Sequence, residues 1–74
     1  MKCTVKLIWE PESKCWRTET SDIPGLWLEA ETFDELVEQV SLAAPEMLAF
    51  NCKYTGPVEL AFEAIRVEHL QKVS

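Results

Sequence analysis

Between Cys3 and Trp9 the chain alternates. Cys3, Val5, Leu7 and Trp9 fall on one side of an extended backbone, and Thr4, Lys6 and Ile8 fall on the other. That period of two predicts a half-buried strand with its odd positions inward. Glu10 to Lys14 reads as a turn, with Pro11 suited to the second position of a type I turn. A second strand, from Cys15 to about Ser21, must bring its best apolar side beside the first. Placing Trp9 opposite Trp16 does this. It sets Leu7 beside Thr18 and Val5 beside Thr20 on the core side, and Ile8 opposite Arg17 and Lys6 opposite Glu19 on the outer side. A slip of one residue would bury Arg17 and Glu19 instead, so charge burial selects the register.

Ile23-Pro24-Gly25 turns the chain again. From Leu26 to Glu31 a third strand is expected, with Leu26, Leu28 and Ala30 toward the core and Trp27, Glu29 and Glu31 away from it. The period then changes. Phe33, Leu36, Val37, Val40, Ala44, Met47 and Leu48 form one helical stripe roughly 120° wide, the width of a helix lying on a core. Thr32 is placed to cap it by accepting from the Glu35 N–H, with Glu35 reaching back to Thr32 as a capping box. Asp34 and Glu35 put negative charge in the first turn, where the helix dipole favours it. Pro45 interrupts the ladder, yet the stripe continues to Met47 and Leu48, which predicts one kinked helix ending near Phe50, with Asn51 and Gly56 beyond its end. Cys52 to Pro57 reads as a loop. A fourth strand, from Val58 to about Val67, places Val58, Leu60, Phe62 and Ala64 on one side. A change of parity at Ala64-Ile65 there suggests a bulge or bend. Residues 69–74 have no pattern and are expected to fray. The whole is one domain over residues 1–74, with its core over about 3–68 and a βββαβ order.

Seventy-four residues bury a small core, so self-association or docking on a partner is expected. There is no run of about 18 apolar residues, so no membrane span is expected, and the strand-like start without a signal sequence favours the cytoplasm. Thirteen acidic against seven basic residues give a net charge of −6. Scattered Lys and Arg argue against direct nucleic-acid binding, while the acidic balance suits a basic protein partner. Cys3, Cys15 and Cys52 are an odd number with no CxxC spacing, and a single His69 does not complete a metal site. Free thiols, no disulfide, no metal and no cofactor are expected.

Asp22-Ile23-Pro24-Gly25, a short strand, and then Thr32-Phe33-Asp34-Glu35 resemble the centre of HicB-like domains. The flanks Trp9-Glu10-Pro11-Glu12 with Trp16, and Pro45-Glu46-Met47-Leu48-Ala49-Phe50-Asn51, resemble a bacterial subfamily of short, stand-alone HicB-like domains without assigned function. The resemblance spans about residues 5–67. It implies an α+β, partial ribonuclease-H-like sheet with the fourth strand parallel to the first and the helix packed on one face. It also implies an antitoxin that neutralises a small basic RNA-cleaving toxin. Ala30 and Leu36 depart from the family's usual glycine and alanine. The chain ends soon after the fourth strand, so a DNA-binding segment and autoregulation are not expected.

Ribonuclease-H chemistry would need carboxylates converging on magnesium. The first strand offers only Glu10 at its end, and Glu59, Glu63 and Glu68 of the fourth have no convergent partner. No enzyme is therefore expected. Two surfaces are candidates for partner binding. One is the outward side of the third strand, with Trp27, Glu29 and Glu31. The other is the outer helix face, with Glu35, Glu38, Gln39, Leu42 and Glu46. Large apolar residues ringed by carboxylates suit an interface to a basic protein. Two functions compete: an antitoxin-like binder of a basic toxin, and a self-associating module, a homodimer, with no toxin.

Overall fold

In the computed structural model, residues 1–71 are described. Five elements follow one another: β1 (Lys2–Glu10), β2 (Cys15–Ser21), β3 (Glu29–Ala30), α1 (Phe33–Asn51) and β4 (Glu59–Ile65). The expected order of elements is therefore present. The strands form one mixed sheet in the order β3-β2-β1-β4, with β2 antiparallel and β4 parallel to β1. The helix covers one face. Cys3, Val5 and Leu7 of β1 meet Leu36, Val40, Ala44 and Leu48 of α1 in the core, together with Ile23 and Leu26. Residues 66–71 carry no regular element, and the rest of the tail expected to fray, 72–74, lies outside the described residues.

The hairpin register holds at one end and slips at the other. Trp9 lies opposite Trp16, Ile8 opposite Arg17 and Leu7 opposite Thr18, as charge burial requires. The indole rings are 5.7 Å apart, and Phe33 meets Trp16 edge-on at 5.2 Å. Beyond Leu7 a β-bulge shifts the ladder, so Lys6 faces Thr20 and Val5 faces Ser21. The expected pairs Lys6–Glu19 and Val5–Thr20 are not formed. Arg17 takes Glu19 instead, at 3.2 Å. The reason lies further on. The extra residue lets the Asp22 carboxylate accept from the Thr4 N–H at 2.8 Å while the Asp22 N–H donates to the Thr4 carbonyl at 3.1 Å. Ile23, the first residue of the turn, then places its side chain in the core, 2% exposed.

The Pro24-Gly25 turn closes with a hydrogen bond from the Leu26 N–H to the Ile23 carbonyl, and Gly25 takes φ +76°, which a side chain resists. The third strand is shorter than expected. Only Glu29 and Ala30 are strand, opposite Arg17 and Trp16. Leu26 to Leu28 is held instead by the buried Thr18 hydroxyl, which accepts from the Leu28 N–H at 3.1 Å, while the Thr18 N–H donates to the Leu28 carbonyl at 3.0 Å. One backbone bond and one side-chain bond at Leu28 thus stand where a regular ladder was expected.

The helix is one continuous element through Pro45. Thr32 caps it, its hydroxyl accepting from the Glu35 N–H at 3.1 Å; this is the arm of the capping box that the structure makes. Leu36, Val40, Ala44 and Leu48 are fully buried. Phe33, Val37 and Met47, expected inside, are only half-buried at the stripe's margins. Asn51 is the last helical residue rather than a stop signal. Lys53, at φ +54°, turns the chain out, and the Cys52 and Tyr54 N–H groups both donate to the Leu48 carbonyl. In β4 the pairing with β1 runs unbroken from Lys2–Glu59 to Ile8–Ile65. The bend expected at Ala64-Ile65 is absent. Ile65 follows ordinary alternation onto the open face beside Ile8, where an apolar neighbour removes any need for a parity change.

Candidate functional site

Local packing sets which way each candidate residue points. Leu26 enters the core, so its neighbour Trp27 must face out, and it is 73% exposed. The Arg17 guanidinium lies 6.0 Å from the centre of the Trp27 ring, at the outer limit of a cation–π contact. Arg17 also reaches the Glu10 and Glu19 carboxylates, each at 3.2 Å, so its charge is spent within the sheet. Glu29 stands opposite Arg17 in the ladder and accepts from the Cys15 thiol at 3.7 Å. Ser13, Cys15, Glu29, Ala30 and Glu31 line a shallow, open cleft of about 340 Å³. Burial, and after it the Glu29 carboxylate, push the Cys15 thiol up from its ordinary pKa. A thiol held protonated is a poor nucleophile and a poor metal ligand.

On the helix, the residues opposite the core stripe are outside. Glu35, Glu38, Gln39 and Glu46 are exposed, and Leu42 among them is 72% exposed. Among the described residues, ion pairs engage Glu10, Glu19, Glu63 and Glu68. Glu29, Glu31, Glu35, Glu38 and Glu46 make none there, so both candidate surfaces present carboxylates without a paired cation among the described residues.

The six candidate residues do not form one footprint. Trp27 and Glu29 belong to the sheet's open side, whereas Glu35, Glu38 and Leu42 face away from the sheet on α1. Glu31 sits where the two layers join, immediately before the cap. One residue escaped sequence reasoning. Phe50 is 87% exposed and continues the outer helix surface with the exposed Pro45 and Ala49. Its signal was in the helical wheel, since eight residues beyond Leu42 places it only about 80° round the helix. Among the described residues no three His, Cys, Asp or Glu side chains gather as a metal site, and no helix is long and apolar enough to cross a membrane.

The chain was compared with known proteins. The family model described as a domain of unknown function (DUF1902) matches residues 2–72. A solved structure, that of hypothetical protein TTHA1013 from the extremely thermophilic bacterium Thermus thermophilus, is similar at 35% identity with a TM-score of 0.79; the match covers 95% of this chain and 100% of that one. No curated protein matches.

Proposed function

This chain belongs to the DUF1902 family, and we propose that it works as a HicB-like, antitoxin-type protein. On this reading it is a non-catalytic domain of partial ribonuclease-H-like fold that binds and neutralises a small basic RNA-cleaving toxin. The fold assignment draws support from the strand order and from the parallel pairing of β4 with β1. The observation that carries the functional reading is the outer face of α1. Leu42 stands exposed among Glu35, Glu38 and Glu46, none of them in an ion pair with a described residue. A carboxylate-lined patch offers a basic RNA-binding protein the charge pattern it reads on phosphates, and so occludes its RNA site. Charge speeds association and makes it sensitive to salt, while a desolvated anchor supplies affinity. Leu42 is that anchor on the helix, and Trp27 is the alternative on the sheet.

The test is calorimetric titration of the purified protein against the product of a basic gene adjacent to its own, at low and moderate salt. Micromolar or tighter binding that weakens with salt is expected. Absence of such a neighbour, or of binding, would favour the second reading, a self-associating module. A specific feature supports that one too: among the described residues the sheet ends on a seven-residue strand, β4, with no strand on its outer side.

A further inference from the structure

We infer that two copies of this chain join edge to edge through β4, antiparallel about a twofold axis at Phe62, to make one continuous sheet. This does not depend on the toxin-binding reading, since it uses neither Leu42 nor Trp27.

Among the described residues no strand pairs with the outer side of β4. The Glu59 N–H donates to the Met1 carbonyl at 2.8 Å, so Glu59 points toward β1. Alternation then aims Glu59, Ala61, Glu63 and Ile65 at β1, and aims the N–H and C=O groups of Leu60, Phe62 and Ala64 outward. Edge strands are commonly blunted by proline, lysine, a bulge or shortness. β4, with the sequence ELAFEAI, has none of these; its two charges, Glu59 and Glu63, alternate with apolar residues, and its ladder with β1 is unbroken. The opposite rim is managed differently. β3 has two residues, and the neighbouring segment is tied down by Thr18.

Side-chain burial points to the same edge. Leu60 and Phe62 lie on the helix-covered face beside Cys3 and Val5, yet both remain half-buried. They pack against the margin of the core without being fully covered. A second copy would bring its own Phe62 alongside this one.

Charge fixes the register. Copies centred on Phe62 place Leu60 opposite Ala64 of the second copy, Glu63 opposite its Ala61, and Glu59 opposite its Ile65. Every residue of β4 is paired and no carboxylate stands directly opposite another. Moving the centre to Ala61 sets Glu59 against Glu63, and moving it to Glu63 sets Glu63 against itself, both of which like-charge repulsion opposes. The strand is thus self-complementary in one full-length register.

Sedimentation equilibrium of the purified full chain, over a range of concentration, tests this. A dimer is expected. Ala64→Pro removes only an outward N–H, so it should keep the cooperative melt of the wild type while sedimenting as a monomer. The register is tested at Ala61, which faces Glu63 of the second copy. Ala61→Glu should raise the dimer Kd by roughly three- to thirty-fold, and Ala61→Lys should lower it. A wild-type monomer at about 100 μM would overturn the proposal, since it puts the Kd above the range of a specific interface. So would a folded Ala64→Pro protein that still dimerises, or Ala61 variants that respond alike to either sign of charge.

Discussion

The two faces of α1 obey different rules. On the inner face Leu36, Val40, Ala44 and Leu48 are at most 1% exposed, and each apolar residue is matched by an apolar partner from the sheet or the turn. On the outer side apolar residues recur as well, at Leu42, exposed between Glu38 and Glu46, and at Phe50, 87% exposed. Hydrophobicity alone does not separate these residues, since a leucine occurs on both sides. Position on the helical wheel does. The inner leucines are explained by folding, whereas the outer one is 72% exposed; a single exposed leucine is ordinary on a protein surface, so the intermolecular role proposed for it rests on the carboxylates around it and on the titration below.

That contrast is sharpest under truncation. Leu48→Ala, at the buried end of the stripe, should cost about 2–5 kcal/mol of unfolding free energy from lost transfer energy and the cavity left behind. A denaturant midpoint close to that of the wild type would show that the inner face is not the core. Thr18→Val probes the same core from the sheet side. It keeps the shape but removes the hydroxyl that holds the Leu28 N–H, so about 1–3 kcal/mol should be lost. Hydrogen exchange should then rise at Leu28 before it rises in β1. Thr32→Ala, at the junction of the two faces, should cost about 1 kcal/mol through the missing cap. An unchanged melting temperature would count against the cap. Leu42→Ala should be the smallest, within about 0.5 kcal/mol, because that side chain is 72% exposed. A larger loss would erase the distinction between the faces.

Where burial or charge penalised the alternatives, the sequence was a good guide. Trp9, Trp16, Leu7 and Arg17 leave one acceptable hairpin register, and the structure adopts it. Thr32 and the apolar stripe likewise place α1 to within a residue at its end. Past Leu7 the second strand reads Thr-Glu-Thr-Ser, with no large apolar side chain to mark a face. A one-residue slip there buries no charge, so alternation has no hold on it. The bulge is decided instead by Asp22 and Ile23, whose contacts with Thr4 and the core come from another level of structure. The third strand was overestimated for a related reason. Leu26 and Leu28 do sit inward, but one backbone bond to Thr18 and the Thr18 hydroxyl hold Leu28 in place of a full ladder, and a pattern of side chains does not distinguish the two. The candidate surfaces were legible as exposed positions. Their separation onto two layers required the sheet.

The central claim is that the outer face of α1 binds a basic protein and contributes nothing to folding. The most direct measurement is a paired titration of wild type and Leu42→Ala against the product of the adjacent basic gene, with both proteins shown to melt alike. The expected result is binding by the wild type that weakens with salt, and an affinity loss of about 1–3 kcal/mol in the variant. Equal affinities with a folded variant, or no binding by the wild type at micromolar concentration, would contradict it.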